Sequence, residues 1–380
     1  MNASGQMRVL IVRVGAMGDV LHAMPAVAGL RKAHPDWRID WALEPRWRDL
    51  LVAEGEVSGP LVDSVIPVRT REWKRLGLSA AMVRDVLGLR RTLREGRYDV
   101  CVDLQGSVRS GVIGWMAGAQ RFVGAETPRE RPARFFYGET VRVGARHVIE
   151  QGCELVEAGV GERILPGRVE LPRDSGAEAW CDGVVGQRQG QTQIPFGNDN
   201  QKNQGNGKGL DLGRDGRFVV MAPGAGWGAK EWPVERFGEV AARLSRDGWR
   251  VFVNAEASGG GKAEAVVRAS GGAAMAVPCT IAELIALLRR ASLFIGGDTG
   301  PMHLADALGV PVVALFGPTD PARNGPYVRA GEADRVRVLR RAESRTDHRR
   351  HAETEVGLGK ITADEVTEAA LELLKMGEAG

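Results

Sequence analysis

Apolar and polar positions along this chain follow two rhythms that keep replacing each other. Residues 8–14 form an apolar run of strand type, followed by Gly15-Ala16-Met17-Gly18-Asp19 and a stretch of helical apolar spacing that reaches Ala33. Residues 38–43, 64–68 and 98–104 read as further strands, and residues 80–94 and 108–117 as helices. This alternation predicts a doubly wound parallel sheet with helices on both faces.

The rhythm fails from about Asp174 to Gly216, where Gly, Gln, Asn and Asp take over and residues 187–209 are almost devoid of apolar side chains. Such composition reads as a linker or surface insertion. Order returns with strands expected at residues 218–221, 249–254, 293–295 and 310–316, and helices at 234–244 and 280–290. A last amphipathic segment, 361–376, opens with Thr362-Ala363-Asp364-Glu365, a helix-start signal. Four segments follow: a first α/β domain over 1–173, a linker or insertion over 174–216, a second α/β domain over 217–360, and a C-terminal helix over 361–380 free to pack back on the first domain. Two such domains place a ligand in the cleft at the carboxyl ends of their strands.

The strand at 293–295 runs into Gly296-Gly297-Asp298-Thr299-Gly300-Pro301-Met302-His303, with an apolar helix after it. Backbone N–H groups of Thr299 and Gly300 at that helix start, together with the dipole, suit a diphosphate. The plainer reading is that Asp298 or Thr299 only caps the helix.

A length of 380 residues suits two domains, and a formal charge of +3 is too small to imply a nucleic-acid partner. Arginines gather from Arg335 to Arg350, either as a solvated face or as an attraction for an anionic membrane or phosphorylated glycolipid. Cys101, Cys153, Cys181 and Cys279 lie far apart without metal-ligand spacing, as free thiols in a reducing compartment would. With no signal peptide and no apolar segment of bilayer length, the expected location is cytoplasmic or peripheral to a membrane.

Asp19 follows a glycine turn directly after the first strand, which sets it at the strand's carboxyl end as a general base or as an N-cap. The Gly15-x-x-Gly18 spacing lacks the middle glycine of a dinucleotide site, and a carboxylate there would repel phosphate. Lys230 sits in the glycine-rich loop from Ala222 to Pro233, where a lysine can neutralise a departing phosphate or stand as a surface charge. A carboxylate from one domain and phosphate-binding elements from the other suit attack by an acceptor hydroxyl while a nucleoside diphosphate departs.

Met17-Gly18-Asp19-Val20-Leu21-His22, Pro223-Gly224-Ala225 with Lys230-x-Trp232-Pro233, Asp298-Thr299-Gly300-x-Met302-His303 and Phe316-Gly317-Pro318-Thr319-Asp320-Pro321 carry a family resemblance. Together they resemble the lipopolysaccharide heptosyltransferases of glycosyltransferase family 9, over residues 7–327 and through the last helix. The resemblance implies a GT-B fold, two Rossmann-like doubly wound domains facing a central cleft. It also implies inverting transfer of heptose from ADP-heptose to the Kdo/lipid A inner core, with no metal and no cofactor. Asp19 matches the family's general base and Lys230 its phosphate ligand. Gly18, Ala225, Gly226, Asp298, Thr299, Gly300 and His303 match its donor-binding segments, and Cys279 a position near its adenine. A carboxylate is a weak base, so the proton moves late, as the attacking hydroxyl acidifies.

The acceptor side draws on His22, Gln105, Arg129 and Arg131; the two arginines suit anionic Kdo carboxylates or lipid A phosphates. The first half resembles the enzymes that add the first heptose, whereas the loop from Pro223 to Lys230 resembles those that add the second. Where the first group carries a glutamate for the donor ribose, this chain has Ser258-Gly259-Gly260-Gly261-Lys262, with Glu256 and Glu264 nearby. The expected partners are ADP-heptose, a Kdo-lipid A acceptor and the cytoplasmic face of the inner membrane. The alternatives are a family 9 transferase with another sugar nucleotide or acceptor, and a non-catalytic nucleotide-sugar-binding protein. A Tyr-x-x-x-Lys epimerase pair is absent from the sequence.

Overall fold

The computed structural model describes residues 6–53, 60–77, 79–186, 217–256, 261–329, 331–347 and 351–379. In chain order the first elements are β1 (Arg8–Val12), α1 (Met17–Ala33), β2 (Arg38–Leu43), β3 (Ser64–Pro67), α2 (Thr70–Leu76), α3 (Ala80–Glu95), β4 (Val100–Asp103), α4 (Val108–Ala117), β5 (Arg121–Ala125), β6 (Glu139–Val141), α5 (Val148–Val160) and α6 (Ser175–Gly186). They continue with β7 (Phe218–Ala222), α7 (Val234–Arg246), β8 (Arg250–Glu256), α8 (Lys262–Ala269), β9 (Met275–Cys279), α9 (Ile281–Arg289), β10 (Leu293–Gly297) and α10 (Gly300–Ala307). Last come β11 (Val312–Phe316), α11 (Pro321–Asn324), β12 (Val336–Arg340), α12 (Val356–Lys360) and α13 (Ala363–Ala379).

Two compact units result. The first contains Met1–Asp174 with Asp298–Gly309 and Thr319–Ala333; the second contains Ser175–Gly297, Val310–Pro318 and Asp334–Gly380. The first sheet has the order β3-β2-β1-β4-β5-β6 and the second β12-β11-β10-β7-β8-β9, with parallel pairing throughout. Counted from its own first strand, each sheet follows the Rossmann order 3-2-1-4-5-6. The chain reverses direction across the sheet at β1 and β4 in one unit and at β7 and β10 in the other. Loops at such a switch point leave a crevice at the carboxyl ends of the strands.

Central strands are apolar on both faces because helices cover both. Leu10, Val12, Ala42, Cys101 and Ile113 belong to the first core, and Val219, Met221, Phe237, Val251 and Ile295 to the second.

Two expectations about the ends of the second unit need correction. The stretch from Asp174 is not linker throughout, since Ser175–Gly186 is the helix α6. Its Glu178 takes ion pairs from Arg289 at 2.7 Å and Arg290 at 2.8 Å, and Cys181 is fully buried. The Gln/Asn-rich residues 187–216 lie outside the described residues. The C-terminal helix α13 does not spend its apolar face on the N-terminal half: Val366, Ala370, Leu373 and Leu374 join the second core, beside Phe237 and Leu244 of α7. Its start is the capping box expected from Thr362, whose N–H donates to Glu365 Oε2 at 2.8 Å while Glu365 N–H donates to Thr362 Oγ1 at 3.3 Å.

Candidate functional site

At the switch point of the first unit, Val12 and Asp103 are register partners at the ends of β1 and β4. Asp103 is 1% exposed, and its carboxylate accepts hydrogen bonds from Gln105 N–H (2.8 Å), Gly106 N–H (3.1 Å), Ser110 Oγ (2.8 Å) and the Tyr137 hydroxyl (2.8 Å). Burial pushes its carboxyl above the usual carboxylate range, and these donors oppose that shift. The bonds hold a tight turn over residues 103–107. Gly106 takes φ +67° there, and a Cβ on it would stand 3.0 Å from the Arg129 backbone nitrogen.

That turn reaches the first loop. Gln105 Oε1 accepts from Val14 N–H at 2.7 Å, and Leu104 carbonyl accepts from the Arg13 guanidinium. Arg13 in turn forms an ion pair with Asp19 Oδ1 at 2.9 Å, and the other carboxylate oxygen accepts from Ala16 N–H at 3.2 Å. Asp19 stands in the first turn of α1 with its side chain 36% exposed. It is therefore both a local cap and an oriented, solvent-reachable carboxylate. Arg13 went unread in the sequence; the only signal was a cation immediately before the glycine turn.

Gln105 spends its side chain on Val14 and on Ser107 Oγ at 3.2 Å. Arg129 and Arg131 are exposed, on a loop that Glu130 fastens by accepting from Val108 N–H at 2.9 Å.

His22, His147 and His303 meet in the same unit. The His22 and His303 rings cross edge-on with centroids 4.2 Å apart, and His147 is 6.0 Å from His22. Gly18 makes this approach feasible, because a Cβ there would sit 2.6 Å from His303 Cδ2. Gly300 likewise admits Met17, whose Sδ would be 2.6 Å from an added Cβ. His303 Nε2 lies 2.9 Å from Asp298 Oδ1, and both residues are buried. His22 is buried too, with no hydrogen-bond partner for Nε2 among the described residues. Burial first, then His303 and His147, hold its imidazole well below the ordinary range.

Thr299 is the N-cap of α10, but its hydroxyl makes no cap bond. Gly300 and Met302 stand in the first turn of α10, whose N–H groups have no acceptor within the helix itself.

In the second unit, Gly226 is exposed and Ala225 half-buried in the loop after β7, which closes with a 3-10 turn over Gly228–Lys230. Ala229 N–H donates to His351 carbonyl at 3.1 Å, Thr354 Oγ1 donates to Glu231 carbonyl at 2.9 Å, and Trp232 Nε1 donates to Ile361 carbonyl at 3.0 Å. Lys230 thus projects from a braced loop, with its ammonium 5.5 Å from the Trp227 ring centroid. Gly297 at the end of β10 would place a Cβ 3.0 Å from Lys230 carbonyl, so the two switch-point loops run close together. Cys279 is buried at the end of β9, accepts from Asn254 Nδ2 at 3.1 Å, and has its thiol pushed up to about 12 by burial. The Ser258-Gly259-Gly260 part of the candidate ribose loop lies outside the described residues.

Two six-stranded Rossmann-ordered sheets in sequence are the plan of a GT-B glycosyltransferase. A solved structure of E. coli heptosyltransferase WaaC with ADP shares the fold, at a TM-score of 0.71 and 24% identity, covering 97% of this chain and 100% of that one. The family model for glycosyltransferase family 9 (heptosyltransferase) matches residues 86–355, and the chain belongs to that family. It is similar to lipopolysaccharide heptosyltransferase 1 of Pseudomonas aeruginosa, 28% identical over 85% of this chain and 82% of the relative. It is also similar to lipopolysaccharide heptosyltransferase 2 of Escherichia coli K12, 24% identical over 88% of each chain. The protein is a glycosyltransferase.

Proposed function

We propose that the protein transfers heptose from ADP-L-glycero-D-manno-heptose to the Kdo/lipid A inner core of lipopolysaccharide, with inversion and without a metal ion. The observation that carries the reading is the Arg13–Asp19 ion pair of 2.9 Å at the switch point of the first sheet. It leaves a carboxylate oriented and reachable just after the first strand, where the resemblance to family 9 expects the general base.

In the proposed step an acceptor hydroxyl oxygen attacks the anomeric carbon of the donor, and the bond from that carbon to the β-phosphate oxygen breaks. Asp19 takes the hydroxyl proton late in the transfer. Lys230 and the first turn of α10, beginning at Thr299 and Gly300, stabilise the charge on departing ADP. Asp298, buried against His303, orients that turn. Gly18, Ala225, Gly226 and Cys279 complete the donor side, while His22, Gln105, Arg129 and Arg131 serve the acceptor side. The first domain in sequence receives the acceptor, a lipid-anchored molecule, so the enzyme works against the cytoplasmic face of the inner membrane.

The higher identity to a first-heptose enzyme than to a second-heptose enzyme supports Kdo-lipid A as the acceptor. A transfer assay tests this by pairing ADP-heptose, ADP-glucose, UDP-sugars and GDP-sugars with Kdo-lipid A and with its monoheptosylated product. Turnover of ADP-heptose onto Kdo-lipid A, undiminished by a chelator, is expected. Turnover of a non-ADP donor alone overturns the donor, and turnover on the monoheptosylated product alone overturns the acceptor.

A further inference from the structure

The arginine-rich segment near the C-terminus is a poor candidate for a lipid-facing surface, because Arg337, Arg340 and Arg341 at its centre are already engaged within the second unit. Arg337 pairs with Glu372 at 2.7 Å, Arg341 with Glu365 at 2.6 Å, and Arg340 donates to Ser344 carbonyl at 2.8 Å. Residues 348–350, with the last two arginines of that run, lie outside the described residues.

A different surface combines exposed aromatic side chains with positive charge. Phe135 is 89% exposed and Trp115 57% exposed, which is unusual for rings of that size. Phe135 belongs to a 3-10 turn over Arg131–Phe136 that lies flush on α4, since a Cβ on Gly111 would meet Phe136 Cδ2 at 3.0 Å and Ala133 carbonyl oxygen at 3.2 Å. Trp115 is one helical turn beyond Gly111, on the face of α4 that carries the 3-10 turn.

Arg131 and Arg134 belong to the same 3-10 turn as Phe135 and are exposed, as are Arg129 just before it in the chain and Arg142 just after β6. Of the acidic side chains between residues 126 and 142, Glu130 is spent on Val108 N–H and Glu139 pairs with Arg121 at 2.7 Å. That leaves Glu126 against several arginines. Exposed aromatic rings with guanidinium groups on the same turn match the interfacial zone of an anionic bilayer, where rings sit at headgroup depth and cations meet lipid phosphates.

We propose that the surface formed by α4 and the 131–136 turn is a membrane-docking face, with Trp115 and Phe135 entering the headgroup layer of an anionic phospholipid leaflet. The idea extends the reading of the enzyme as acting on a lipid-anchored acceptor, but its test needs neither donor nor acceptor.

Flotation of the full-length protein with vesicles of phosphatidylethanolamine and phosphatidylglycerol should show binding that weakens with salt, and little binding to pure phosphatidylcholine. The double variant Trp115→Ser, Phe135→Ser should lower the partition coefficient about tenfold or more, and Arg134→Ser about fivefold. Because these side chains are exposed, melting temperatures should match the wild type. Absence of wild-type binding to anionic vesicles overturns the proposal, as does binding that the double variant retains in full. A self-associated form that the same variants dissolve, without vesicle binding, overturns it in favour of a second copy of the chain. Failure of heptose transfer with vesicle binding intact would count against the catalytic reading and leave the docking face standing.

Discussion

His303 Nε2 stands 2.9 Å from Asp298 Oδ1, and the two side chains are each 6% exposed. A buried carboxylate this close to the first turn of α10 would swing or draw in water without its imidazole. His303→Ala should raise the ADP-heptose KM by about tenfold or more, as loss of a hydrogen bond to a charged group costs about 1.5–3 kcal/mol. His303→Gln, whose amide can reach the same oxygen, should restore much of it. A KM unmoved by His303→Ala, with only the melting temperature falling, would reduce the pair to a structural contact.

Gly18 guards the same ring from the other side. Gly18→Ala forces a Cβ to within 2.6 Å of His303 Cδ2, so the imidazole must move. Overpacking of this kind costs about 1–3 kcal/mol. Lower stability in urea with weakened ADP binding is expected; unchanged ADP affinity would separate Gly18 from the donor turn.

Asp19→Asn keeps the cap on Ala16 N–H but removes the base. Turnover should fall by about 10²–10⁴-fold, with donor affinity by calorimetry preserved. Near-normal turnover would take Asp19 out of the mechanism.

Lys230→Ala leaves the braced backbone of its loop in place and removes one charge. By analogy with losing one transition-state donor, kcat should drop by about 10²–10³-fold. A kcat within a factor of two would assign the lysine to the surface.

Low pH should destabilise the first unit through its histidines. Burial, the largest cause for each, holds His22 and His147 below the ordinary imidazole range. The unfolded chain therefore binds more protons once pH drops below about 6.5. The contribution is complete above that pH and is lost as pH falls toward the lower folded values. Urea unfolding at pH 7.5 and 5.5 should show a larger loss for the wild type than for His22→Asn. Equal losses would mean that His22 does not titrate in this window.

Much of this fold was legible along the chain because its central strands are uninterrupted apolar runs. Some of the elements that escaped notice lack that signal. β6 is three half-exposed or exposed residues, and β12 interleaves arginine with its apolar positions. The helix α5 begins without a Ser, Thr, Asp or Asn cap; His147 Nδ1 does that work by accepting from Ile149 N–H at 3.2 Å. Asp19 and Lys230 could be singled out because glycine-rich turns follow strands. The contacts among Arg13, Leu104 and Gln105 join loops about 90 residues apart, a pairing no local spacing encodes.

The chain passes from the second unit into the first between Gly297 and Asp298, returns at Val310, and repeats the excursion over Thr319–Ala333. The N-terminal half of such a protein is not a modular cassette. A chimera that exchanges residues 1–174 alone would pair foreign α1 residues with a resident His303, and would lose the fit of Gly18 and Met17 to that helix. Recombination between relatives should succeed only when residues 298–309 and 319–333 travel with the N-terminal half, so drift in one part of the gene is bound to drift in two distant parts.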